Sequence, residues 1–354
     1  MTLEELLRLL IDMEGSDLHI TAGSRPRIRV DGELVETEHE VLDAEMTQKM
    51  IYGNLDDDQI IEFEKELELD LSFGISGVGR FRVNVFRQRG AVGAALRVIP
   101  FEISGFKELG LPQQVCEMLC QKKKGLVLVT GATGSGKSTS LASMIDHINS
   151  FRKEHIITVE DPIEFVHQNK VCLINQREVG QDTRTFPAAL KHVLRQDPDI
   201  VLIGEMRDVE TMEAALELAE TGHLTFSTLH TSDCVQTINR IIDAFPGHQQ
   251  AQIRTQLSFV LEAVFCQQLL PMVNSKGRIL ASEIMVASDA VRALVREDKA
   301  HQIYTVIQTG GKSGMKTMNQ SLYELYKKNL ITYDMAMART TKPEDLKQTF
   351  QRGV

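Results

Sequence analysis

Apolar and polar residues alternate along this chain with two different periods. Near the N-terminus, leucine and isoleucine recur at helical spacing over 3–11, and a second helix is predicted at 58–68. Within 69–100 the period falls to two, which predicts antiparallel strands joined by glycine and serine turns. The alternating apolar positions there include Phe81, Val83 and Val85. Residues 1–98 are therefore predicted to form a small α+β domain.

From residue 125 onwards, short apolar runs alternate with loops and helical patterns. This alternation is typical of α/β proteins, which carry helices on the faces of a parallel sheet. The predicted strands are 126–130, 156–159, 200–203 and 224–229, and the predicted helices lie near 138–149, 186–196 and 209–220. Beyond 250 the chain is predicted to be mostly helical. We expect 99–111 to be a linker and 112–354 to be the second domain.

Composition narrows the function classes. The 354 residues carry a formal charge of −10, which argues against nucleic acid as the main partner. The first helix is acidic, unlike a signal peptide, and no apolar run approaches the roughly 20 residues that span a bilayer. Five cysteines without framework spacing fit a reducing cytoplasm. Cys116 and Cys120 have no second pair at zinc-site spacing, so they are interpreted as buried thiols.

A glycine-rich loop follows the first predicted strand of the second domain. The segment "GATGSGKST" directly follows the apolar run "GLVLVT" and directly precedes a predicted helix. Its glycines allow a tight turn whose N–H groups can point at phosphate oxygens, its lysine supplies a cation, and the serine hydroxyl suits Mg²⁺. The motif predicts nucleotide binding by Gly131, Thr133, Gly134, Ser135, Gly136, Lys137, Ser138 and Thr139.

Polar side chains also follow the other predicted strands of this domain. The second, third and fourth strands lead into Glu160, Glu205 and His230 respectively. Ligands of open parallel sheets bind at the carboxyl ends of the strands, so we expect these side chains to converge on the phosphate loop. Glu205 is the candidate general base, because hydrolysis needs an oriented water beside the γ-phosphate. Taken alone, each acid is also compatible with a solvated strand end or a helix cap, and the expected convergence of all three groups favours a site.

Two histidines bracket the last of these strands. In a strand of period two, residues seven apart lie on opposite faces and at opposite ends, so His223 and His230 are not expected to bind one small ligand. His230, at the carboxyl end, is the candidate sensor of the γ-phosphate. For His223 a site role and a buried structural role stay open.

Other classes of P-loop protein fit less well. The nearest approach to the guanine-reading N-K-x-D segment is "NKVC" at 169–172, which lacks the carboxylate. The arginine-rich lid of a small-molecule kinase is not evident. Both observations favour a nucleotide-driven motor.

Four segments together resemble the signature boxes of the secretion ATPase superfamily. They are "GATGSGKST", "ITVEDPIEF", "RQDPDIVLIGEMRD" and "TGHLTFSTLHT", which resemble its Walker A, Asp, Walker B and His boxes. Segments at 15–34, 290–310 and 314–332 resemble, more narrowly, the type IV pilus retraction ATPases. The resemblance covers nearly the whole chain.

This resemblance implies a homohexameric ring of RecA-like α/β P-loop ATPase cores. Each core would carry a smaller α+β, PAS-like N-terminal domain and a helical C-terminal region. ATP with Mg²⁺ would bind between neighbouring subunits. Hydrolysis would drive pilin depolymerisation at the cytoplasmic face of the inner membrane, through a platform protein, with the pilin filament contacted only indirectly.

The family's roles carry over to matching positions. They imply that Lys137 and Ser138 bind phosphates and Mg²⁺, that Glu160 is the Asp-box acid, and that Glu205 is catalytic. His223 and His230 would be the His-box residues. The Walker B strand ends in Gly-Glu rather than Asp, so the ion is expected at Ser138, with waters and Glu205 completing its surroundings.

One motif departs from the family. The retraction segment AIRNLIRE appears here as "AVRALVRE", in which only the change of Asn to Ala293 alters chemistry. The tetracysteine zinc module usual in extension and type II export relatives is absent from the sequence, which favours retraction.

An arginine-rich strand offers residues that act on a neighbouring subunit. The segment "GRFRVNVFRQRG" holds Arg80, Arg82, Arg87 and Arg89. Such a row fits a solvated sheet face, or guanidiniums that reach a neighbour's triphosphate as arginine fingers do. In the family context Arg82 and Arg97 are the candidate pair. Further interface candidates are Arg207, Arg240 and Arg254.

Three alternatives stay open at this stage. A nucleic-acid translocase shares the RecA-like core. A pilus extension, type II secretion or accessory retraction ATPase would differ in cargo. A regulatory module would bind ATP without hydrolysing it.

Overall fold

The computed structural model describes residues 2–75, 78–99, 102–273 and 277–352. The chain divides into two compact units, the first Met1–Glu102 with Glu164–Val166 and the second Ile103–Ile163 with His167–Val354. Residues 100 and 101 of the predicted linker lie outside the described residues. The domain boundaries drawn from the sequence stay predictions.

The first unit is an antiparallel sheet covered by helices. Its strand order is β3-β2-β1-β6-β5-β4, and neighbouring strands pair antiparallel throughout the described residues. The elements are α1 (Leu3–Asp12), β1 (Asp17–Ile20), β2 (Arg27–Val30), β3 (Glu33–Glu36), α2 (Ala44–Tyr52), α3 (Asp57–Glu66), β4 (Glu68–Ile75), β5 (Gly79–Gln88) and β6 (Ala91–Ile99).

Amphipathic patterning explains how this unit packs. Thr2 and Glu5 form a capping box that starts α1, whose buried face consists of leucines at helical spacing. In β5 the predicted alternation is observed, since Phe81, Val83 and Val85 are buried while Arg82 is exposed. One face of the sheet therefore packs on the core, and the other presents polar side chains.

The second unit is built on a seven-stranded sheet with helices on both faces. Its elements up to β11 are α4 (Gln113–Cys120), β7 (Gly125–Thr130), α5 (Lys137–Phe151), β8 (His155–Glu160), β9 (Leu173–Glu178), α6 (Phe186–Val193), β10 (Ile200–Ile203), α7 (Val209–Glu220) and β11 (Leu224–Leu229). They are followed by α8 (Cys234–Ala244), α9 (Gly247–Val260), β12 (Leu261–Pro271), β13 (Arg278–Val286), α10 (Asp289–Arg296), α11 (Ile303–Thr309), α12 (Met318–Lys327), α13 (Tyr333–Arg339) and α14 (Pro343–Arg352).

The strand order of this sheet is β13-β12-β7-β11-β10-β8-β9. All neighbours pair in parallel except β12 and β13, which pair antiparallel at one edge. β7, β11 and β10 are neighbours that run parallel, so the chain leaves all three strands at the same edge of the sheet.

Each central strand contributes to two separate cores. Leu126 and Leu128 of β7 pack in one hydrophobic cluster, and Val127 and Val129 pack in the cluster on the opposite face. A parallel sheet covered on both faces is apolar at every position, which is why β7 appears in the sequence as an uninterrupted apolar run.

The region beyond residue 250 is mainly helical, as predicted, but the sequence reading missed β12 and β13. Both strands are buried along most of their length, so their residues lack the period of two that would have distinguished them from buried helix. β12 pairs in parallel with β7 and so supports the strand that leads into the glycine-rich loop. Within the described part of the chain, no helix is both long and apolar enough to cross a bilayer.

Candidate nucleotide-binding site

The glycine-rich loop joins β7 to α5 through backbone conformations that glycine adopts readily. Gly131, Gly134 and Gly136 have φ of 142°, 76° and 87°, in the region that other residues rarely occupy. Gly136 is the N-cap of α5, and no side chain caps this helix. The first N–H groups of α5 therefore lack a side-chain acceptor, which is the arrangement that binds phosphate at a helix N-terminus.

The remaining residues of the motif surround this turn. Lys137 Nζ donates to the carbonyls of Gly131 and Ala132 at 2.9 and 3.1 Å, so its ammonium group lies against the loop. Ser138 and Thr139, in the first turn of α5, are half-buried, whereas Thr133 and Gly134 are exposed. Ser135 Oγ is buried and has no hydrogen-bond partner among the described residues. These groups fit a triphosphate, since they combine a cation, hydroxyls and backbone N–H donors.

Strand register brings the other predicted residues to this edge. Leu229 of β11 pairs with Thr130 of β7, and the N–H of Gly131 donates to Leu229 O at 3.3 Å. The next residue, His230, therefore follows β11 directly beside the start of the loop. On the other side of β11, Ile203 of β10 pairs with Ser227.

Glu205 follows β10 and contacts His230, which follows the neighbouring strand β11. The distance from His230 Nε2 to Glu205 Oε1 is 3.3 Å, and Arg207 Nε lies 2.9 Å from Glu205 Oε2. The Glu205 side chain is only 20% exposed, so these contacts are partly shielded from solvent. Asp208 accepts a hydrogen bond from Thr211 N and caps α7, which ends this loop. The acid, the imidazole and a guanidinium thus form one cluster.

Glu160, at the end of β8, lies on the far side of β10. Its Oε1 accepts hydrogen bonds from Thr158 Oγ1 at 2.6 Å and from Gln176 Nε2 at 3.2 Å. A Cβ added at Gly204 would lie 3.3 Å from Glu160 Cα, so the backbones of the Glu160 and Glu205 turns are in close approach. The expected convergence of strand ends is therefore present, with Glu160 further along the edge than His230.

His223 is at the opposite end of β11. Its Nδ1 lies 3.0 Å from Leu218 O, in the last turn of α7, and 3.2 Å from Thr221 Oγ1. The expectation that the two histidines lie at opposite strand ends agrees with this geometry. Within one chain the structure does not bring His223 to the phosphate loop, and its catalytic assignment stays a prediction.

Arg82 and Arg97 belong to the first unit, where they are directly paired across β5 and β6. Both are exposed. Arg97 Nε donates to Asp17 Oδ1 at 2.8 Å, whereas Arg82 forms no hydrogen bond or ion pair among the described residues. Burial alone would raise the pKa of Asp17, but hydrogen bonds from Ser16 and Arg97 hold that pKa below its usual value. Of the pair, Arg82 is thus the residue whose side chain has no hydrogen-bonding or ion-pair partner within the described part of the chain.

A residue that the sequence analysis missed supports the loop from β12. Gln267 is 1% exposed, and its Nε2 and Oε1 lie 2.8 and 3.1 Å from Ser140 Oγ, in the first turns of α5. Gln267 O would lie 2.4 Å from a Cβ at Gly131, so this strand fixes both ends of the phosphate loop. No sequence pattern pointed to Gln267, because β12, the strand that carries it, was not predicted.

The sheet is largely parallel, a glycine-rich loop follows its central strand β7, and an acid follows β10, which is not a neighbour of β7. Together these features define a P-loop nucleotide-binding protein with a RecA-like core. The fold class expected from the sequence is confirmed by the comparisons with known proteins.

The family model described as "Type II/IV secretion system protein" matches residues 2–332. Two relatives are from Pseudomonas aeruginosa. "Type IV pilus retractation ATPase PilT" is 47% identical over 98% of this chain and 100% of its own length. "Type IV pilus ATPase PilU" is 41% identical over 100% of this chain and 92% of its own length. The crystal structure of the pilus retraction motor PilT with bound ADP is 49% identical, with a TM-score of 0.92 over 98% of this chain and 99% of that one. This chain belongs to the type II/IV secretion system protein family, and it is an ATPase.

Replacing Gln267 by leucine should weaken nucleotide binding. The change leaves the Ser140 hydroxyl buried without its partner, which costs about 1–3 kcal/mol and is relieved most simply by a shift of the first turn of α5. We expect the KM for ATP to rise about tenfold, because that turn carries Lys137 and Ser138. Steady-state ATPase kinetics measure the effect.

The control is Gln268→Leu, whose amide instead bonds Arg339 O at 3.3 Å. The double variant Gln267→Leu/Ser140→Ala should recover much of the affinity, because no unpaired hydroxyl remains. An unchanged KM in Gln267→Leu, or an equal rise in the control, would show that this contact does not position the loop.

Proposed function

We propose that this chain is the ATP-hydrolysing, homohexameric motor that powers retraction of type IV pili. The observation that carries the proposal is the cluster of Glu205, His230 and Arg207 beside the phosphate loop, in a chain that is 47% identical to a pilus retraction ATPase over nearly all of both sequences. In the proposed activity, ATP hydrolysis drives pilin depolymerisation and twitching motility.

Glu205 is the general base in this proposal. Its side chain is 20% exposed, less than half the exposure of His230 at 44% and Arg207 at 62%, so a water bound here would be oriented by a partly dehydrated carboxylate. Arg207 and His230 hold the two Glu205 oxygens and can pass to phosphate oxygens when a triphosphate occupies the loop. Lys137 and the N-terminus of α5 bind the outer phosphates.

Mg²⁺ fits the hydroxyl of Ser138, which lies half-buried in the first turn of α5 beside Lys137. Glu205 would belong to its surroundings, since its carboxylate lies in the cluster beside the phosphate loop. The ion would neutralise charge on the β- and γ-phosphates. Glu160 would orient water at the β8 side of the site, and His230 would sense the γ-phosphate.

Arg82 acts on a neighbouring subunit in this proposal, with Arg97 beside it in the strand pairing. Its guanidinium is exposed and has no internal partner among the described residues, which suits a group that acts outside its own chain. Such an arginine neutralises charge that develops on the transferred phosphate. A hexamer would bring six such pairs together in one ring.

The same proposal gives the motor its partners and place. We infer a platform protein of the inner membrane as its direct contact, the pilin filament as an indirect one, and the cytoplasmic side of that membrane as its location. The supporting observations are the resemblance of three separate segments to retraction ATPases and the similarity over 98% of the chain.

An accessory retraction ATPase is a second candidate, favoured by the 41% identity to PilU over the full chain. Pilus counts and twitching separate the candidates in the native host. Deletion of the gene should leave immobile cells with excess pili if this chain is the main retraction motor. Bald cells would instead indicate extension, and cells that still twitch would indicate an accessory role. Either outcome contradicts the proposal.

Glu205→Gln should abolish hydrolysis while preserving ATP binding. The amide keeps the shape of the side chain but cannot accept the proton of the attacking water, which costs about 10²–10⁴-fold in rate. Phosphate release and equilibrium nucleotide binding measure the two effects separately. Glu210→Gln, an exposed position of α7, is the matched control. Full turnover in Glu205→Gln would remove this residue from the mechanism.

Mixed hexamers test the action of Arg82 on its neighbour. Arg82→Ala and Glu205→Gln should each be inactive alone, because every site lacks one of its two groups. In a random equal mixture about a quarter of the sites regain both, one from each subunit, so ATPase activity should reappear. Arg89→Ala, at the exposed turn after β5, is the control and should be active alone. Mixtures that stay inactive would contradict action in trans.

A further inference from the structure

Three donor side chains meet in the core of the second unit, away from the surface. Cys234 starts α8, Cys266 is in β12 and Glu283 is in β13. One ligand atom from each lies within 4.8 Å of the others, and the residues are 0%, 0% and 3% exposed. Three separate elements of the fold therefore place two sulfurs and a carboxylate around one point.

The two sulfurs have the spacing of ligands that share one ion. Cys234 Sγ and Cys266 Sγ lie 3.8 Å apart. Two thiolates on a tetrahedral zinc, each with a Zn–S bond of about 2.3 Å, are separated by about 3.8 Å. The sulfurs of a disulfide are about 2.05 Å apart, so this pair is not positioned as a covalent bond.

The carboxylate is fixed in orientation but lacks a cation. Glu283 Oε1 accepts from Cys234 N at 2.9 Å, and Oε2 accepts from Met318 N at 3.3 Å, so the N-termini of α8 and α12 both face it. Among the described residues, no lysine, arginine or histidine forms an ion pair with Glu283. Buried charges in proteins are usually paired or coordinate a metal, and hydrogen bonds of this kind orient metal ligands.

We propose that Cys234, Cys266 and Glu283 form a structural site for a thiophilic divalent cation, of which zinc is the representative. Binding releases the two thiol protons, so the cluster carries three negative charges against two positive ones. Its net charge of about −1 is the same as that of the carboxylate alone, and the two helix N-termini still stabilise it. Beside the cluster, Thr130 Oγ1 donates a hydrogen bond to Cys266 Sγ at 2.9 Å.

The position of this site gives it a structural consequence. Cys266 pairs in register with Thr130, the last residue before the phosphate loop, and Gln267 follows it. Cys234 lies shortly after His230 in the chain, where Asp233 caps α8. A bound ion would tie β12, β13 and α8 together beneath the nucleotide site. It therefore stabilises the frame of that site and takes no part in hydrolysis.

Metal content of the full-length chain tests the proposal directly. Protein produced with zinc and purified under reducing conditions without chelator should contain about one zinc per chain by elemental analysis. Cys234→Ser and Cys266→Ser should each lose most of it. Cys120→Ser removes a buried thiol of α4 that lies outside the cluster, and it should retain the metal. Zinc returned to chelator-treated protein should raise the Tm of the wild type and of this control only.

Cobalt(II) provides a measurement that does not depend on the variants folding. Wild-type protein loaded with cobalt should show the intense near-ultraviolet absorption of thiolate–cobalt bonds. The proposal is overturned if the wild type holds only traces of metal and gives no such absorption, or if Cys266→Ser binds as much zinc as the wild type. A Cys234–Cys266 disulfide found by mass spectrometry in the metal-free, reduced preparation would overturn it as well.

Discussion

The register of four parallel strands is the constraint on which the candidate site depends. β7, β11, β10 and β8 are neighbours in that order, and each pairs in parallel with the next, with their carboxyl ends within one or two residues of register. Because parallel strands point the same way, whatever follows each of them appears at one edge. A slip of one residue in β11 would move His230 to the other face of the sheet and away from Glu205. Because these strands are buried on both faces, their register is fixed, and so are the positions of the polar side chains that follow their ends.

At two glycines the backbone lies very close to a neighbouring strand, which further fixes this arrangement of strand ends. Gly131 faces the carbonyl of Gln267, where a Cβ would be only 2.4 Å away, and Gly204 faces the backbone of β8, where it would be 3.2 Å from Val159 O. At Gly131 the positive φ adds a second reason for glycine. The glycine-rich loop and the turn at Gly204 are thus held by neighbouring strands as well as by their own hydrogen bonds, which makes a glycine-rich segment a rigid candidate phosphate site.

The sequence predicted the parts of this protein that depend on local pattern. The four strands leading into the site and the strand–loop–helix of the phosphate motif were found because apolar runs and glycine spacing are local signals. The strands β12 and β13 were missed, since a strand buried on both faces has no period of two. Gln267 lies in β12 and was therefore missed as well, because its role depends on a contact with Ser140 that spans 127 positions in sequence. Arg207 was noted only as an interface candidate, and its pairing with Glu205 follows from a turn that sequence does not specify.

In the proposed mechanism, the cluster at Glu205 couples the candidate base to the bound nucleotide. Arg207 and His230 contact both oxygens of this carboxylate, at 2.9 and 3.3 Å. A triphosphate bound at the loop would bring several negative charges toward the same two groups and would compete with Glu205 for them. The carboxylate would then be free to orient the attacking water when its substrate is present. In the proposed hexamer, Arg82 of a neighbouring subunit would add positive charge beside the same phosphate, so hydrolysis would depend on the nucleotide and on that subunit together.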